Sequence, residues 1–68
     1  LVIELSINGA TKQLQTSHTV AELVTELDLT GKRIAIECNG EIVPRSLFAT
    51  TPLHNGDRLE IVVAVGGG

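Results

Sequence analysis

Chemistry has few places to reside in this 68-residue chain. The strongest is the run Val62-Val63-Ala64-Val65-Gly66-Gly67-Gly68, where a strand-forming apolar stretch passes without turn or cap into three glycines. Glycine lacks a Cβ and visits φ > 0 freely, so three in succession beyond a strand are expected to form a thin, mobile arm. Extended, three residues reach roughly 10 Å, which would carry a terminal Gly68 carboxylate into a partner's active site while the folded body stays outside. A carboxylate presented in this way is a chemical handle, and frayed terminal chain is the plain alternative. Cys38 is the single thiol, but it alternates with Ile34 and Ile36 and so falls on a core-facing side, where cysteine behaves as a small hydrophobe. His18 and His54 have no cysteine or carboxylate at metal-ligand spacing and read as solvated loop residues. No nucleophile elbow or phosphate loop is present, so no catalytic or metal site is expected.

The elements that must position the tail follow from periodicity. Leu1, Ile3, Leu5 and Ile7 alternate with Val2, Glu4 and Ser6 as a strand with one buried face. Asn8-Gly9 signals a type I′ turn, and Ala10 to Thr16 should return antiparallel as a polar edge strand around a lone Leu14. From Thr19 the period becomes 3.6, with Val20, Leu23, Val24 and Leu27 on one stripe. Thr19 and Glu22 make a capping box and Gly31 offers a stop, so a helix is expected over about Val20 to Leu29. Its acids Glu22, Glu26 and Asp28 fall off the apolar stripe and read as a solvated face, not a carboxylate site.

Ile34 to Cys38 reads as a third strand, Asn39-Gly40 as a second hairpin turn, and Glu41 to Val43 as a fourth strand ended by Pro44 at the other sheet edge. Ser46 to Thr51 is irregular, with Leu47, Phe48 or both covering the end of the core. Asn55-Gly56-Asp57 then turns into a last strand, Leu59 to about Val65. Its two faces, Leu59, Ile61 and Val63 against Glu60, Val62 and Ala64, both carry apolar residues, which marks a central strand or a binding patch. The order ββαββ plus β is that of an α+β, β-grasp (ubiquitin-like) domain, a mixed four- to five-stranded sheet with one main helix across one face. The first and last strands are central and parallel. Residues 1–65 are expected to form the domain and 66–68 the tail.

Eight acids against five Lys and Arg give a net charge of −3 without a basic cluster, which disfavours nucleic acid and anionic membrane and favours a protein partner. The longest apolar run, Ile61 to Val65, is far short of the roughly 20 residues of a membrane span. With one cysteine and no signal-peptide pattern, a soluble cytoplasmic protein is expected, and Leu1 in place of Met reads as a trimmed start.

Asn39-Gly40-Glu41-Ile42-Val43-Pro44-Arg45, then Asn55-Gly56-Asp57-Arg58, then Val65-Gly66-Gly67-Gly68 together resemble the thiamine-biosynthesis sulfur carrier family over the whole chain. The glycine tail is shared by all ubiquitin-like carriers and modifiers; the Asn39 to Arg45 stretch is more specific. The resemblance implies that an adenylyltransferase similar to ubiquitin-activating enzymes uses ATP and Mg²⁺ to adenylate the Gly68 carboxylate. Sulfur from a cysteine persulfide, supplied by a cysteine desulfurase, then replaces AMP, and the thiocarboxylate donates sulfur to thiazole synthase. The carrier itself is no enzyme and binds no cofactor. Gly67 and Gly68 carry the match, with Gly66 as extra reach into the partner. Val62 and Ala64 on the face away from the helix, Val65 at the tail's root and Phe48 as the only aromatic are the candidate partner contacts. The small subunit of molybdopterin synthase shares fold, tail and thiocarboxylate, a ubiquitin-like modifier would join its tail to lysine, and a plain interaction domain would use its sheet face alone.

Overall fold

The computed structural model describes residues 2–15 and 19–64. Five strands and one helix run β1 (Ile3–Ile7), β2 (Ala10–Leu14), α1 (Val20–Glu26), β3 (Ile34–Cys38), β4 (Glu41–Val43) and β5 (Arg58–Val63). The sheet order is β2-β1-β5-β3-β4, the β-grasp arrangement, with the polar second strand and the proline-ended fourth at its edges. Central β5 runs parallel to β1 and antiparallel to β3.

Both Asn-Gly turns adopt positive φ at both central residues, 51° and 86° at Asn8-Gly9 and 52° and 88° at Asn39-Gly40. That is the type I′ backbone, whose twist matches the strands it joins. Each asparagine also latches strands that its own hairpin does not pair. β1 turns away after pairing Ser6 and Ile7 with Arg58 and Leu59, and the Asn8 side chain continues the ladder. Its Oδ1 accepts from the Ile61 amide at 2.8 Å and its Nδ2 donates to the Ile61 carbonyl at 3.0 Å. Asn39 Oδ1 accepts from the Arg58 amide at 2.9 Å, and Asn55 Oδ1 from the Glu4 amide at 2.8 Å.

Thr19 and Glu22 close the expected capping box at the start of α1. The first two helical amides, which no helical carbonyl can reach, donate to a neighbouring loop: Val20 to the Thr51 carbonyl and Ala21 to the Phe48 carbonyl, both at 2.9 Å. This docking buries Leu53, which is 1% exposed. The helix ends earlier than Leu29. Asp28 takes the left-handed conformation at φ 59°, its amide bonding Thr25 and the Leu29 amide bonding Val24, the pair of bonds that defines a Schellman end. The short side chain of aspartate tolerates this backbone, so the stop comes three residues before Gly31.

Val20, Leu23 and Val24 meet Leu5, Ile36 and Ile61 in the core, and Leu27 packs partly buried against it. Leu14, expected as a lone apolar residue on an edge strand, is 1% exposed and a full core member. β2 ends at Leu14 and β5 at Val63, each shorter than the alternation predicts. In the segment after Pro44, a 3-10 turn over Arg45–Leu47 leaves Leu47 exposed and turns Phe48 against the core.

Candidate functional site

β5 delivers the chain toward its last residues from the middle of the sheet. It pairs with β3 from Leu59 opposite Cys38 to Val63 opposite Ile34. The Ala64 amide then donates to the Arg33 carbonyl at 2.8 Å, so the backbone stays anchored up to the last described residue. Val65, Gly66, Gly67 and Gly68 lie outside the described residues, as does His18.

Alternation along β5 sends Leu59 and Ile61 into the core and turns Glu60, Val62 and Ala64 to the opposite, helix-free face, where all three are exposed. Val62 is 64% exposed and stands opposite Ala35, while Ile42 on β4 is 73% exposed and stands opposite Glu37. Glu37 in turn faces Glu60 across β3 and β5. Like charges directly opposite on a sheet repel. The face therefore sets an apolar patch beside two carboxylates, with Arg58 lining the same shallow groove as Glu37 and Glu60. Ala64 and Val62 share this patch. Phe48 does not: it is half-buried on the helix side, packed on the core, so the structure separates it from the other expected partner contacts. The β4 contribution, Ile42, escaped the sequence reading, although the register set by Asn39-Gly40 places it next to Glu37.

Cys38 points to the core side of β3 but only half enters it. Burial, followed by the Asp57 and Glu41 carboxylates and a hydrogen bond with Asp57, raises its thiol pKa above the ordinary value. A thiol held protonated is a poor nucleophile and a poor carrier of sulfane sulfur. His54 is exposed on a loop, with its Nδ1 3.9 Å from Asp57 Oδ2. Among the described residues no three His, Cys, Asp or Glu side chains gather as a metal site, and no helix is long and apolar enough to cross a membrane.

A sequence model of the ThiS family matches residues 5–68. A thiazole synthase of Paramagnetospirillum magneticum is 42% identical over 97% of this chain, and the chain spans only 20% of that protein's length. The sulfur carrier protein ThiS of Escherichia coli is 29% identical over 97% of this chain and 100% of its own. The crystal structure of the thiamine biosynthesis protein ThiS from Geobacter metallireducens superposes with a TM-score of 0.82 at 30% identity, covering 97% of this chain and 100% of that one.

Proposed function

This chain belongs to the ThiS family, and on that premise we propose that it carries sulfur for thiamine biosynthesis as a thiocarboxylate on Gly68. The match to the family through Gly68 is the observation that carries this reading. The protein is a co-substrate, not a catalyst, and works in the cytoplasm. Residues 1–65 are the docking domain and 66–68 the tail that threads into each partner.

A carboxylate at neutral pH is a poor electrophile because its leaving group would be oxide. In the activating enzyme, a Gly68 carboxylate oxygen attacks the α-phosphorus of ATP, with Mg²⁺ on the phosphates, and pyrophosphate departs. The terminal sulfur of a cysteine persulfide then attacks the acyl carbon and expels AMP, leaving an acyl disulfide. A second thiol takes up the persulfide's cysteine as a disulfide and releases the thiocarboxylate. Its sulfur is softer and more nucleophilic than oxygen, and its attachment to a protein keeps sulfide out of solution until thiazole synthase accepts it. Glycine at 67 and 68 leaves no Cβ to block a narrow channel, so the backbone can lie against a nucleotide. The four residues beyond Ala64 span at most about 14 Å, so the body must dock closely for the carboxylate to arrive. Val62 and Ala64, with Val65 at the tail's root, supply that docking face for the activating enzyme.

The test is intact mass. With ATP, Mg²⁺, the activating enzyme and a persulfide source, the chain should gain the mass of one oxygen exchanged for sulfur, and without ATP it should not. Deletion of Gly67 and Gly68 should abolish the gain with the fold intact, whereas Cys38→Ala should leave it unchanged. A gain that survives tail deletion, or a tail found joined to lysine, would overturn the assignment.

A further inference from the structure

A notch between the end of α1, the start of β3 and the 3-10 turn takes no part in the proposed sulfur transfer. It is a cavity of about 250 Å³ walled by Val24, Leu29, Ile34 and Phe48, with Lys32 and Arg45 also lining it. No aspartate or glutamate lines it. Among the described residues neither cation has a carboxylate within 4.0 Å, the one acid–base contact being His54 with Asp57. Arg45 reaches over the same loop, its Nη2 making a long hydrogen bond of 3.4 Å to the Lys32 carbonyl. The guanidinium thus lies beside the loop that bears the second cation. Two positive charges on one cavity repel until an anion sits between them, and a planar guanidinium matches a carboxylate in two-point geometry. The apolar wall asks for something else, a single bulky side chain, and the volume is too small for a nucleotide or similar cofactor.

We propose that this notch docks a segment of a protein partner carrying one aromatic or branched apolar side chain next to a carboxylate. The apolar group lies against Val24, Ile34 and Phe48, and the carboxylate bridges Lys32 and Arg45. A protein occupant is favoured over a free small acid by position. Lys32 and Ile34 flank Arg33, whose carbonyl holds Ala64, so a protein that receives the residues after Ala64 has this notch within reach. The binding itself does not depend on sulfur transfer, and each can fail without the other.

The experiment is titration of the ¹⁵N-labelled full chain with the blocked peptide Gly-Phe-Glu-Glu-Gly. Saturable amide shifts are expected at Val24, Leu29, Thr30 and Ile34. Exchanging both peptide glutamates for glutamine, or its phenylalanine for alanine, should weaken binding by about tenfold or more, as should Arg45→Gln, each removing an interaction on the order of 1.4 kcal/mol. Ala21→Leu, which projects into the notch from α1 with a good helix former, should abolish the shifts while the spectrum stays dispersed. Absence of saturable shifts at millimolar peptide, equal binding of the glutamine peptide, or shifts gathered on Ala35 and Val62 would overturn the proposal. Free phenylacetate binding as tightly as the peptide would also overturn it, by assigning the notch to small acids.

Discussion

Asn8 sits at φ 51° in the first hairpin turn, and its side-chain amide meets the Ile61 backbone at 2.8 and 3.0 Å. Turn preference and strand latch can be separated by substitution. Asn8→Gly keeps the left-handed backbone and removes only the amide, so a purely local role predicts little change in stability. The latch predicts a loss of about 1–3 kcal/mol, because the Ile61 backbone groups lose their partners in a part-buried position, and urea midpoints decide between the two. At Cys38 the charge state is the readout. Its pKa is raised, so the folded state holds the proton more tightly than the unfolded chain does. The associated stability is present below the ordinary thiol pKa and fades as pH rises through and above it. Iodoacetamide at pH 8 should therefore label the folded chain more slowly than the chain in urea, and equal rates would show that the thiol is not protected.

At the scale of elements, a strand's polarity does not reveal how deeply one of its residues is set. β2 has the composition of an edge strand and occupies the edge, yet Leu14, opposite Ile3, reaches the core beneath α1. Leu14→Ala should accordingly cost about 2–5 kcal/mol in a denaturant titration, whereas Gln13→Ala on the exposed side of the same strand should stay within about 0.5 kcal/mol. Strands, turns and capping box were legible because each rests on local spacing (period two, period 3.6, Asn-Gly, and Thr19 with Glu22), and the sheet order because the polar β2 and the Pro44-ended β4 both read as edges. The burial of Leu53 was not, since it follows from Thr51 and Phe48 carbonyls meeting helix amides some thirty residues earlier in the chain. The end of α1 was misplaced for a related reason, as Asp28 in a left-handed conformation competes with the more obvious Gly31. The site was half legible. Alternation exposed Val62 and Ala64, but the separation of Phe48 from them and the arrival of Ile42 at Glu37 depend on register across three strands.

For the molecule as a whole, the two faces of the sheet differ: α1 covers one and builds the core on it, while Val62, Ala64 and Ile42 stay exposed on the other. Val62→Glu should leave the thermal midpoint near that of the unsubstituted chain, because the side chain is solvated already, yet weaken binding to the activating enzyme by about tenfold or more. An unchanged affinity in calorimetry would place docking elsewhere. The central position of β5 also bears on how the protein is made. Until this strand leaves the ribosome the nascent chain holds two hairpins that no strand ladder joins, since β1 and β3 meet in the sheet only through it. Pairings between segments so distant in the chain form late in folding. The glycine run follows that strand after only Ala64 and Val65 in the sequence. If the proposed docking holds and one partner grips both Val62 and the glycines, that partner admits only molecules whose translation has passed the strand that closes the sheet, and ATP is not spent on unfinished carriers.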